Sequence, residues 1–166
     1  MLTREALLAD DAGRQLRLVQ RRLVSMATPN IAALETVITA VGWSGGVSIR
    51  SGCDTDITNS NVPEDAELSS RHLGSVKVAA SEPGPGAAGL TVEVRTVTSG
   101  IGIALALRTE VSGGGGPAGT GNPEQLGGLH THRFDVELAE GEPLTVLKTV
   151  AVASSRDHAI ASPLTA

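Results

Sequence analysis

Aromatic residues are nearly absent from this chain. Trp43 and Phe134 are its one tryptophan and one phenylalanine, and among 166 residues there is no tyrosine. Large aromatic side chains supply much of a small domain's buried area. The core must therefore be built from Val, Ile, Leu and Ala, and either its stability is modest or another piece of protein completes it. Cysteine is reduced to Cys53. A single cysteine excludes an internal disulfide and fits a reducing compartment, hence a cytoplasmic location. A small, partly buried side chain is its plainest role, because no spacing identifies a histidine partner for a catalytic thiol. Positive charge is also scarce: 13 Lys and Arg against 18 Asp and Glu leave a net charge of −5. With no basic stripe and no aromatic stacking platform, the composition argues against nucleic-acid binding. No apolar run reaches the roughly 18 residues of a membrane span. The start, MLTREALLADDAGR, lacks the apolar stretch of a signal peptide.

What is present is a series of short β-rich runs separated by turn residues. Leu2–Ala9 and Gln15–Ala27 flank DDAGR, which reads as a hairpin turn. Ile31–Val41, Gly46–Ser51, Val76–Ala80, Thr91–Val97 and Ile101–Val111 follow, then Leu129–Leu138 and Leu144–Ser154 around the turn AEGEP. SEPGPGAAG reads as a Pro/Gly loop, and SGGGGPAGTGNPEQLGG as a flexible one. The stretch from Arg4 to Leu23 has some amphipathic character, but Asp10, Asp11 and Gly13 interrupt any helical period. Eight or nine strands at this spacing predict an all-β, antiparallel sandwich of one domain.

Three motifs carry candidate chemistry. In HTHRFDVE, His130 and His132 point to one face of a strand, because side chains alternate. Two such histidines with a nearby carboxylate are a plausible metal trio, and the spacing is half of a cupin signature. Glu137 lies at odd spacing from His132 and faces the other way, so the plainer reading is the polar face of an edge strand. In DTDITN, Asp54 and Asp56 sit like the first ligands of a calcium loop, but Asn59 stands where such a loop needs glycine. Side chains that cap their own turn explain it more simply. In SSRHL, Arg71 and His72 follow Glu64, Asp65 and Glu67, a pattern that fits a clamp holding a long loop. Neither a G-x-S-x-G elbow nor a phosphate loop is found.

The stretch from Arg21 to Leu73 closely resembles the N-terminal β-sandwich domain of glycoside hydrolase family 65. It holds VSMA, AALE, GWSG, RSG, TN and RHL in the family's order. VRTVTSGIGIALALRTEV and EGEPLTVLKTVAVASSRDHAI resemble later strands of the same domain. The resemblance implies a super-β-sandwich of the galactose-mutarotase-like type, N-terminally truncated, over residues 1–155, with a Gly-rich loop at 112–128. Residues 156–166 would open the linker to an (α/α)6 catalytic barrel. It implies a non-catalytic part of an enzyme acting on α-glucosyl disaccharides such as maltose, trehalose or kojibiose. No cofactor is implied, only inorganic phosphate as co-substrate of the parent phosphorylases. The catalytic barrel, carbohydrate and a homodimer are the implied partners. Asp54, Asn59, Arg71 and His72 are implied at the substrate rim or the interdomain contact. The stretch PEDAELSS lacks the aromatic and the arginine that family members carry there, which weakens any substrate contact by it. The alternative is a stand-alone carbohydrate-binding or cupin-like sandwich, with His130 and His132 as metal ligands.

Overall fold

The structure is a computed structural model that describes residues 1–58, 72–116 and 118–157. The described residues form ten strands and no helix. They are β1 (Leu2–Ala9), β2 (Gln15–Val24), β3 (Ile31–Val41), β4 (Gly45–Asp54) and β5 (Leu73–Gly84), then β6 (Ala87–Thr96), β7 (Gly102–Gly113), β8 (Asn122–Leu126), β9 (Leu129–Leu138) and β10 (Pro143–Ser154). Seven form one sheet in the order β1-β2-β3-β10-β7-β6-β5; β4-β9-β8 form a smaller one. Every ladder between named strands is antiparallel. The all-β sandwich expected from the spacing is what the chain forms.

Local chemistry explains the first hairpin. Asp10 Oδ1 accepts the N–H groups of Ala12 (3.0 Å) and Arg14 (2.9 Å), and Gly13 adopts φ +78°. The short polar side chain holds the turn, and glycine takes the left-handed conformation at no steric cost.

Two loops expected from Gly and Pro content are partly strand. SEPGPGAAG narrows to a turn at Pro85–Gly86, because β5 runs on to Gly84, paired with Ala87 across a register shift. Inside the Gly-rich stretch, Asn122–Leu126 pairs with β9 through a turn at Gly127–Gly128. Ladder hydrogen bonds to a neighbouring strand outweigh weak local propensity there.

The core lies between the two sheets. Phe134, Val136 and Leu138 of β9 pack on Ala40, Ala88, Val111, Leu144 and Val146 of the large sheet. Phe134 is completely buried. A second cluster joins Leu90, Val92, Val94 and Leu107 with Cys53 and Val78 at its margin. Three strands cannot cover seven. Register places Leu2, Leu8 and Val24 on the same side of the large sheet as Leu16, which packs half-buried against the core, yet they are 63, 50 and 63% exposed.

Candidate functional site

The sheets meet through polar groups as well as apolar ones. On β4 the odd-numbered residues face inward, opposite the even-numbered residues of β9, so Ser51 faces in with His132 and Cys53 with His130. The hydroxyls of Ser51 and Thr109 lie 2.7 Å apart across the gap. Lys148, from the inner face of β10, donates through Nζ to the carbonyl of Gly52. Gly52 is required by close strand approach: an added Cβ would lie 1.9 Å from the His130 carbonyl and 2.6 Å from Thr131 Cα.

Beside this contact a cleft of about 440 Å3 opens between β4 and the inner face of β2, β3 and β10. Leu34, Ile38 and Val146 form its apolar floor, and Gln20 Nε2 donates to Thr36 Oγ1 (3.3 Å) within it. Lys148 supplies positive charge. Burial holds Lys148 below its ordinary pKa, against the opposing pull of a Cys53 thiolate. Burial pushes the Cys53 thiol up, against the pull of Lys148. A thiol so held is protonated at neutral pH and is a poor nucleophile.

The outward face of the small sheet is an ion-pair ladder. Arg50 Nε donates to Glu124 (2.8 Å), and Arg133 bonds both Glu124 (3.2 Å) and Asp135 (2.7 Å). Ser48 donates to Asp135 Oδ1. Hydrogen bonds from Arg133 and then Ser48 hold the Asp135 carboxyl below the usual range, and the Arg50 hydrogen bond does the same for Glu124.

Of the residues expected at a site, Asp54 ends β4, where its Oδ1 accepts the Asp56 N–H (2.9 Å). That is a self-capped turn, the simpler reading of DTDITN. His72 is exposed, and its carbonyl accepts the Val97 N–H (2.9 Å). Asn59 and Arg71 lie outside the described residues, as do Glu64, Asp65 and Glu67. His130 and His132 share a face as alternation requires, and Glu137 is exposed on the other. The edge-strand reading of that motif is corrected: β9 is the middle strand of its sheet and His132 is only 2% exposed. Among the described residues no three His, Cys, Asp or Glu side chains are grouped to hold a metal.

Sequence reasoning missed Lys148. Its signal lies in LTVLKTV, where a lysine takes the alternating position that Leu144, Val146 and Val150 fill with apolar side chains. A charge on the apolar face of a strand marks either a partner or a cavity.

The two-sheet antiparallel sandwich places the chain among β-sandwich domains. A family profile then matches all of residues 1–166, and the chain belongs to the glycosyl hydrolase family 65 N-terminal domain. Among curated proteins it is similar to uncharacterised glycosyl hydrolases from two strains of Mycobacterium tuberculosis, each 39% identical over 77 residues, 46% of this chain. Its fold is similar to that of a protein assigned as a kojibiose phosphorylase, from the human microbiome, with a TM-score of 0.67 and 14% identity over 95% of this chain. The chain spans 6% of the length of those curated relatives and 18% of the solved structure.

Proposed function

We propose that the chain is the non-catalytic sandwich of a family 65 enzyme acting on an α-glucosyl disaccharide, and that it docks against a catalytic domain. The carrying observation is the inner face of the large sheet, which the other described residues leave bare at Leu2, Leu8 and Val24. An apolar surface of this kind marks a contact with other protein. Asp54 and His72, with Asn59 and Arg71, would belong to the interdomain rim. The protein would act in the cytoplasm and need no cofactor of its own, phosphate being co-substrate for the catalytic domain.

Direct carbohydrate binding is less well supported. Sugar recognition favours an open aromatic face, and neither aromatic residue offers one. The Trp43 ring lies under Arg14, whose guanidinium carbon is 5.1 Å from the ring centroid, and Trp43 Nε1 is tied to the Gln15 carbonyl (2.7 Å). Phe134 is completely buried.

The test is to incubate the purified chain with maltose, trehalose and kojibiose, with and without phosphate. Neither glucose nor glucose 1-phosphate should form, and turnover above the buffer blank would end the non-catalytic reading. For docking, a polypeptide carrying this chain together with a catalytic domain should slow amide exchange around Leu2, Leu8 and Val24 relative to the chain alone. Equal exchange in both would exclude that face as the contact.

A further inference from the structure

The cleft between the sheets has an unbalanced charge. Lys148 and Arg50 line it, and among the described residues none that line it is Asp or Glu. Arg50 has Glu124 as its partner on the outer face. Among the described residues Lys148 is bonded to a main-chain carbonyl and faces no carboxylate, and a half-buried ammonium without a counter-ion is a costly arrangement.

The wall beside Lys148 is a strand edge. Among the described residues β4 pairs with β9 alone, so its other edge has no strand partner. The Gly52 carbonyl turns toward Lys148 on that side. A residue in an antiparallel strand points its N–H and C=O to the same side, so the Gly52 N–H also faces the cleft. A cation with no carboxylate partner beside an edge-strand amide is the donor pair a small oxyanion requires.

We propose that this cleft is a binding site for a small oxyanion, a phosphate or a short carboxylate, held between the Lys148 ammonium and the Gly52 amide. The anion supplies the counter-charge that Lys148 lacks. The apolar floor of Leu34, Ile38 and Val146 leaves room for a short carbon skeleton.

The experiment is a 1H–15N NMR titration of the full chain with sodium phosphate and, separately, sodium acetate, with sodium chloride holding ionic strength constant. Saturable shifts are expected at the amides of Ser51, Gly52 and Thr131. Lys148→Met should weaken the affinity at least tenfold, whereas Lys77→Met, at an exposed lysine paired with Glu93, should leave it unchanged. A response to phosphate alone, to acetate alone or to both supports the site and identifies the oxyanion class. No saturable shift with either anion overturns it, as does equal affinity in Lys148→Met. Should that variant fail to fold, the Lys148 side-chain 13C titration in the native chain decides. A saturating anion must raise the pKa of Lys148, and an unmoved titration overturns the proposal.

Discussion

Ser51 and Thr109 join the two sheets by a hydroxyl-to-hydroxyl contact of 2.7 Å, and Thr109 is only 5% exposed. Removing the Ser51 hydroxyl leaves the buried Thr109 hydroxyl without its hydrogen bond, and removing that of Thr109 leaves Ser51 without its own. Thr109→Val should therefore cost about 1–2 kcal/mol of unfolding free energy, near the penalty of one buried unsatisfied hydroxyl. Adding Ser51→Ala should recover part of the loss, because no polar group is then left alone. Urea unfolding of the two single variants and the double variant checks this; strict additivity would exclude the contact.

Phe134 is the single large aromatic in the core, and it is fully buried. Phe134→Ala should cost about 3–5 kcal/mol, a large share of a small domain's stability. The opposite change is also informative. A Cβ at Gly121 would meet the Phe134 ring at 2.7 Å and Ala88 Cβ at 2.8 Å. Gly121→Ala should cost about 1–3 kcal/mol by overpacking, read as a lower thermal midpoint. An unchanged midpoint would mean that the site yields freely.

Gly52→Ala tests the approach of β4 to β9. The new Cβ would press on the backbone of His130 and Thr131, neither of which is the far end of a flexible chain. The small sheet should lose its pairing around this point, with accelerated amide exchange in Ser51–Asp54 and Leu129–His132. Native exchange rates in the variant would refute it.

The outward ion-pair ladder predicts an acid limb to stability. Asp135 has its folded-state pKa lowered, first by its hydrogen bond from Arg133 and then by Ser48. Between the folded and unfolded values the unfolded state binds more protons, so stability rises with pH across that window. The contribution is complete above the unfolded-state value and is lost as pH falls through the folded-state value. Arg133→Gln should return the Asp135 titration toward the usual carboxylate range and flatten that limb. Carboxyl 13C titration of both proteins decides, and an ordinary Asp135 titration in the native protein would sink the argument.

Strand placement was largely legible without coordinates. Ile31–Val41 and Leu129–Leu138 have the bounds expected from alternation and turn residues, and the hairpin at DDAGR closes as Asp and Gly at those positions require. Asn122–Leu126 was not legible, because its glycine-rich surroundings carry weak local propensity and its order comes from pairing with β9. The histidine motif was half legible. Period-two alternation placed His130 and His132 on one face, but nothing local says whether that face meets solvent or a second sheet.

The sequence by itself determined the two-residue alternation, the turns, the shortage of aromatic packing and the family to which the chain belongs. These are local or compositional properties, written in neighbouring residues. Only the tertiary structure decided that three strands cover part of seven, that Lys148 reaches Gly52 across the gap, and that a cleft with unbalanced positive charge opens beside them. Those relations join residues 96 apart in the chain. They are set by which strand edges pair and which faces are left bare, and no local pattern encodes that choice.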